Sequence, residues 1–183
     1  MDHDWVNANE IPNNLQLAVV CTEDQRFLSH HGFDYESIQN AMDEADAGGR
    51  HRGASTISQQ TAKNVFLWPN SSFVRKGFEV WFTALIELCW SKKRILEVYL
   101  NSIEFGDGIY GCEAASQHFF HKKVSLLSNA EAARLAVVLP DPLLFSADAK
   151  GGHVISRMNW ALGQMRNYGN VLNFEPSVTS TDK

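Results

Sequence analysis

The chain has 183 residues, of which 44% are apolar and 20% charged, and its formal net charge is −5. A domain of this length buries about 70% of the surface of its unfolded chain. For the chain as a whole, this composition excludes a disordered tail, a disulfide-stabilised mini-protein and a repeat array. The three cysteines, Cys21, Cys89 and Cys112, lie among apolar or small residues, so we predict three buried thiols rather than a bridge.

Helical periodicity dominates the chain, and polar capping residues mark several helix starts. We predict helices, in chain order, around residues 15–19 and over 34–48, 56–64, 72–90, 91–100, 109–120, 128–139 and 154–168. The Asp107-Gly108 pair is expected to lie between helices rather than in a hairpin. The predicted fold class is therefore all-α, with a single domain over residues 1–173 and a disordered tail over 174–183.

The charge is distributed unevenly. Residues 50–94 contain eight basic and two acidic residues, a net charge of +6, which leaves −11 for the rest of the chain. A basic segment within an acidic protein favours a local anion site over general affinity for nucleic acid. A solvated basic face explains the same pattern.

One segment near the start of the chain, TEDQRFLSHHGFD, carries candidate site residues. Glu23 and Asp24 follow an apolar helix and precede a turn, a position where partial burial would suit a carboxylate to general-base catalysis. A solvent-exposed pair at a helix end is the simpler interpretation. His30 and His31 are candidates for acid–base groups or metal ligands, or for a hydrogen bond that stabilises the turn.

The basic middle of the chain contains the other candidates. The segment 53–64, GASTISQQTAKN, has a glycine-led helix start whose backbone N–H groups favour anions; an ordinary capped helix is the alternative. In RKGFE, over 75–79, Arg75 and Glu79 share one helix face and could form a surface ion pair.

Taken in order, these segments resemble glycosyltransferase family 51, the peptidoglycan glycosyltransferases. The matching segments are TEDQRFLSHHGFD, RGASTISQQTAKN, RKGFE, SKKRILEVYLN and EAARLAVVLPDPLLFS, and the resemblance spans residues 15–168. No transpeptidase segment follows, so the chain is similar to the monofunctional enzyme rather than to a class A penicillin-binding protein. The resemblance implies a lysozyme-like large lobe with a small membrane-facing jaw.

The resemblance also implies roles for individual residues. Glu23 matches the general base and Glu79 the second essential carboxylate. The residues matched to substrate binding are Asp24, His30, Ser55, Gln59, Gln60, Lys63, Arg75 and Lys76.

The implied reaction is the polymerisation of lipid II into β-1,4-linked glycan strands, with inversion and release of undecaprenyl diphosphate. The implied partners are lipid II, the growing lipid-linked strand, the membrane surface and cell-division proteins, with no nucleic acid. The implied location is the periplasmic face of the bacterial inner membrane, with a single anchor upstream of this sequence. No cofactor is obligatory, although a divalent cation such as Mg²⁺ or Mn²⁺ could assist.

Two other functions are considered. A lysozyme-like lytic enzyme would share the fold but would need neither Lys63, Arg75 nor Glu79. A catalytically silent cell-wall binding module would need neither Glu23 nor Glu79. The apolar segment 65–73, which Pro69 interrupts, is interpreted either as a jaw that enters lipid headgroups or as buried core.

Overall fold

A computed structural model describes residues 4–46, 55–70, 72–169 and 171–174. The described residues form α1 (Asn13–Glu23), α2 (Tyr35–Asp46), α3 (Ile57–Phe66), α4 (Phe73–Cys89), α5 (Lys92–Ser102), α6 (Cys112–Phe120), α7 (Asn129–Val138) and α8 (Gly152–Tyr168). The prediction of an all-α fold is confirmed. The predicted helix end at Gly48-Gly49 and residues 175–183 of the predicted tail lie outside the described residues, and the domain boundary stays a prediction.

Side-chain caps fix several helix starts where the sequence predicts them. Thr56 and Gln59 form a reciprocal capping box at the start of α3, and Ser128 and Glu131 form a second one at α7. Ser72 accepts a hydrogen bond from a backbone N–H in the first turn of α4, as Ser91 does at α5. Each cap satisfies an N–H that has no partner within its helix.

The core is built around α1, whose residues from Leu15 to Cys21 are all buried. Helices α7 and α8 pack against α1 and against each other, and α3 packs against α4 and α5. The N-terminal segment is tied to α5 by Asn101, whose amide donates to Val6 O at 2.9 Å and accepts from Val6 N at 2.8 Å. This packing places the C-terminal end of α1 beside the start of α3.

A short hairpin replaces the first turn of one predicted helix. Strands β1 (Glu104–Gly106) and β2 (Ile109–Tyr110) pair antiparallel, so the prediction that Asp107-Gly108 merely links two helices is wrong. Gly108 has φ +71°, which a turn residue without a side chain adopts at little cost. Helix α6 consequently begins at Cys112 rather than near residue 109.

Helix α4 buries polar side chains and exposes apolar ones, the reverse of an ordinary amphipathic helix. Its buried residues are Glu79, Thr83 and Ile86, whereas its apolar stripe faces solvent. The exposed apolar side chains of α3, α4 and the loop between them, here called the α3–α4 apolar surface, are Val65, Phe66, Trp68, Phe73, Val74, Phe78, Val80, Trp81 and Leu88. The buried-core interpretation of residues 65–73 is therefore wrong for the described residues of that segment.

Two of the three cysteines are buried as predicted. Burial raises the pKa of Cys21 to about 11 and that of Cys112 to about 12. Cys89 is exposed, so the prediction of a third buried thiol is wrong. All three are free thiols. Within the described part of the chain, none of the helices has the length and apolar character needed to cross a membrane.

Candidate active site

An open cleft of about 1410 Å³ lies between the ends of several helices. Its walls come from the C-terminal end of α1, from α3, from the start of α4, from the β1–β2 hairpin and from the start of α8. Six of the ten predicted site residues line it: Glu23, Asp24, Ser55, Gln60, Lys63 and Arg75. The other four, His30, Gln59, Lys76 and Glu79, lie outside that lining.

Glu23 is the last residue of α1 and is half-buried at the cleft. Its Oε2 accepts a hydrogen bond from Gln60 Nε2 at 3.0 Å. Burial raises the pKa of the Glu23 carboxyl, and this effect outweighs the bond from Gln60 and the positive charges of Arg157 and Lys63, which lower the pKa. A carboxylate with a raised pKa accepts a proton more readily than an ordinary glutamate does, as a general base requires.

Asp24 joins three parts of the chain behind Glu23. Its carboxylate accepts hydrogen bonds from His30 Nε2 at 2.9 Å and from Ile57 N, at the start of α3, at 3.0 Å. His30 Nδ1 in turn accepts from Gly32 N at 3.1 Å, which leaves Nε2 as the nitrogen that carries the proton. Asp24 and His30 are both buried, so their bonds within the protein hold α1 against α3. The substrate-binding role assigned to them stays a prediction.

Removal of the Asp24 charge tests whether this residue supports the fold. Asp24→Asn places an amide donor against His30 or Ile57 N–H, so we expect the free energy of unfolding to fall by about 2–3 kcal/mol. Urea denaturation measures this loss. Asp107→Asn, at the exposed hairpin turn, is the matched control and should leave the midpoint unchanged. Reduced turnover by Asp24→Asn with an unchanged midpoint would instead indicate a role confined to substrate.

The first turn of α3 is less available to an anion than its sequence suggests. Ile57 N donates to Asp24 and Gln59 N donates to the Thr56 hydroxyl at 3.2 Å. The Gln59 side chain accepts from Thr56 N, which makes Gln59 a buried capping residue. The predicted cradle of backbone N–H groups is therefore largely occupied within the protein. Ser55 remains exposed on the cleft, and Gly53 lies outside the described residues.

Lys63 and Arg75 bring two positive charges to the cleft from neighbouring helices. Neither forms an ion pair with a described residue. The Arg75 Nε atom is buried and has no hydrogen-bond partner among the described residues. Unpaired cations at a cleft are suited to bind an anionic group of a substrate.

Glu79 lies on the buried face of α4, only 4% exposed. Its Oε1 accepts from Lys76 Nζ at 2.5 Å, so the carboxylate is paired with Lys76 rather than with Arg75. The surface ion pair considered for Arg75 and Glu79 is not formed. The catalytic role of Glu79 and the substrate-binding role of Lys76 stay predictions.

Arg157 and Trp160, which no sequence motif singled out, also line the cleft. They lie three positions apart on α8, and the Arg157 guanidinium stands 5.7 Å from the centre of the Trp160 ring. The positive charge of Arg157 lowers the pKa of Glu23, and its Nε is buried without a partner among the described residues. The sequence predicts α8 from its apolar periodicity alone, and no motif distinguishes Arg157 or Trp160 from the other residues of that helix.

Metal ligation is not evident in the described residues, which contain no group of three or more His, Cys, Asp or Glu side chains that could hold a metal ion. Assistance by Mg²⁺ or Mn²⁺ therefore stays a prediction.

The family model described as Transglycosylase matches residues 1–166. The chain belongs to the Transglycosylase family. Relatives of this family named biosynthetic peptidoglycan transglycosylase include one from Vibrio parahaemolyticus, 53% identical over 169 residues that cover 92% of this chain and 75% of the relative. Another, from Yersinia pestis, is 56% identical over 167 residues that cover 91% of this chain and 69% of the relative. The resemblance stated from the sequence motifs is thereby confirmed.

Proposed function

We propose that the chain polymerises lipid II into β-1,4-linked glycan strands, as a peptidoglycan glycosyltransferase of the cell envelope. The chain belongs to the Transglycosylase family, and close relatives carry the name of a peptidoglycan transglycosylase. One observation in the structure carries the mechanistic proposal. A carboxylate of raised pKa, Glu23, lines the same cleft as Lys63 and Arg75, two cations that have no ion-pair partner among the described residues.

In the proposed reaction, Glu23 takes the proton from the 4-hydroxyl of the acceptor sugar as that oxygen attacks C1 of the donor. A bond forms between the acceptor oxygen and C1, and the bond between C1 and the donor phosphate breaks. The electron pair of the broken bond leaves on the phosphate oxygen. Attack from the face opposite the phosphate converts the α-linked donor into a β-linked product.

Lys63 and Arg75 are proposed to hold the donor's diphosphate. A diphosphate leaves as an anion and needs positive charge more than it needs a proton, so two cations stabilise the transition state electrostatically. In this mechanism Glu23 of α1 removes the proton, and Lys63 of α3 and Arg75 of α4 stabilise the negative charge of the leaving diphosphate. Arg157, which also lines the cleft, supports the ionised form of Glu23.

The α3–α4 apolar surface is proposed to contact the membrane that carries the lipid-linked substrate, at the periplasmic face of the inner membrane. Phe73 is 99% exposed and Trp81 58% exposed. Exposure of so much apolar area to water is unfavourable in free energy, and exposed patches of this kind mark sites that contact a partner or a membrane. The surface adjoins the cleft through Trp68, which also lines the cleft. A lipid tail can therefore remain in the bilayer while the diphosphate reaches the cations.

Phe73→Ser and Trp81→Ser should reduce flotation of the protein with vesicles of phosphatidylethanolamine and phosphatidylglycerol. Phe73 is the better choice, because Phe66 stacks on Phe82 with ring centroids 4.8 Å apart and its loss would disturb packing. Trp81 meets Phe82 only edge to face, with ring centroids 5.5 Å apart. Leu126→Ser is the matched control, because Leu126 is also exposed but lies on the 3₁₀ helix Val124–Leu126. Equal flotation of all three variants and the wild type would contradict the membrane contact.

The polymerase and the lytic enzyme differ in their products. Lipid II should give a polymer that runs as a ladder on a gel, and preformed peptidoglycan should release no soluble fragments. The family assignment and the names of the relatives do not favour the lytic alternative. Soluble fragments from peptidoglycan, with no polymer from lipid II, would establish that alternative instead.

A further inference from the structure

A chain of two hydrogen bonds leads from the core to Glu23. Tyr99 lies on α5 with its side chain wholly buried, and its hydroxyl donates to Gln60 Oε1 at 3.1 Å. The nitrogen of the same amide donates to Glu23 Oε2 at 3.0 Å. A buried tyrosine is thus linked to the carboxylate through one side chain of α3.

The two ends of the Gln60 amide are not equivalent in this arrangement. A carbonyl oxygen only accepts hydrogen bonds and the NH₂ group only donates them, while an ionised carboxylate only accepts. With Tyr99 donating to the oxygen, the nitrogen faces Glu23. A reversed amide would place two acceptors in contact and leave the tyrosine hydroxyl without its acceptor. Each bond in such a chain also polarises and strengthens the next.

Tyr99 remains protonated throughout the working range of pH. Burial, together with the negative charges of Glu23 and Asp24, holds the pKa of the Tyr99 hydroxyl well above its ordinary value. The Tyr99 hydroxyl therefore always has a proton to donate to Gln60 Oε1, and this bond keeps the Gln60 amide in one orientation.

We propose that Tyr99 is a positioning residue for the glycosyl transfer and acts on Glu23 through Gln60. It touches no substrate; its hydroxyl fixes the Gln60 amide, and the amide nitrogen stabilises the ionised carboxylate in the orientation that accepts a proton. The inference rests on the proposed role of Glu23 as general base. It also assigns Gln60 a second role, orientation of the Glu23 carboxylate, beside the substrate binding predicted for it.

The test is the pH dependence of kcat/KM for lipid II in Tyr99→Phe, a change that fills nearly the same volume. Weaker donation from Gln60 raises the pKa of Glu23, so the acidic limb of the profile should move to higher pH. On that limb kcat/KM should fall about three- to ten-fold, and on the plateau it should stay within about two-fold of the wild type. Tyr168→Phe removes a hydroxyl from a half-buried tyrosine outside the cleft lining and should leave the limb in place.

A double-mutant cycle with Gln60→Ala distinguishes an effect of Tyr99 that passes through Gln60 from an effect of Tyr99 on packing alone. If Tyr99 acts through Gln60, then Tyr99→Phe should move the acidic limb no further in the Gln60→Ala background. An equal loss at every pH, or the same movement of the limb with and without Gln60, would overturn the proposal.

A titration of the Glu23 carboxyl by ¹³C NMR provides a readout without turnover, with the signal assigned from its absence in Glu23→Gln. The pKa should be higher in Tyr99→Phe than in the wild type, and an unchanged pKa would overturn the inference. Full turnover by Glu23→Gln would contradict the proposed function, whereas the titration would still decide whether Tyr99 acts on Glu23.

Discussion

Glu23→Gln should abolish the polymerisation of lipid II while the protein remains folded. Loss of a general base costs about 10²–10⁴ in rate, and the amide cannot accept the proton of the attacking hydroxyl. The substitution retains the shape of the side chain and removes a carboxyl whose ionised form is disfavoured by burial. We therefore expect kcat to fall by that factor and the melting temperature to remain near that of the wild type.

Glu104→Gln is the natural comparison, because Glu104 also lines the cleft, on the β1–β2 hairpin. Its Oε1 accepts a hydrogen bond from Gly108 N at 3.0 Å. The change in rate caused by Glu104→Gln therefore measures the general effect of removing one negative charge from the cleft. The loss of rate in Glu23→Gln should be far larger than the loss in Glu104→Gln. Activity within a few-fold of the wild type in Glu23→Gln would refute the assignment of the base.

The second large effect is expected for the cations that meet the donor. Lys63→Ala and Arg75→Ala should each weaken the binding of a water-soluble lipid diphosphate by at least about ten-fold, since a charge-assisted hydrogen bond contributes about 1.5–3 kcal/mol. Isothermal titration calorimetry measures the affinity. Glu23→Gln should change this affinity much less, because its carboxylate acts on the acceptor.

Lys123→Ala controls for the general loss of positive charge, since Lys123 is exposed and lies outside the cleft lining. It should bind the lipid diphosphate as the wild type does. Equal weakening in Lys63→Ala, Arg75→Ala and Glu23→Gln would show that binding and proton transfer are not divided between these residues.

The sequence predicted the helices well because their signals are local. The capping boxes at Thr56 and Ser128 lie within four residues of the N–H groups that they satisfy, so the pattern alone indicates where each helix begins. The hairpin was missed because β1 and β2 have only three and two residues. Such short strands leave no alternating pattern, and the turn at Gly108 depends on backbone conformation rather than on side-chain periodicity.

The candidate site was predicted in part, for a physical reason. Motif residues such as Glu23 and Lys63 could be chosen by their chemistry, but their partners are set by packing between distant elements. The hydrogen bond from Ile57 N to the Asp24 carboxylate joins residues 33 positions apart, and Arg157 reaches the cleft from the last helix. The direction in which the apolar stripe of α4 faces could not be predicted either, because periodicity shows that a helix has an apolar face but not whether that face is buried or exposed.

The pH dependence of kcat/KM for lipid II tests the central claim most directly, because this profile reports the ionisation of groups in the free enzyme. We expect an acidic limb, with activity rising as Glu23 ionises, and an apparent pKa above that of an ordinary glutamate because burial raises it. The limb should disappear from the residual activity of Glu23→Gln. An acidic limb that persists unchanged in Glu23→Gln would contradict the account, because another group would then be the base.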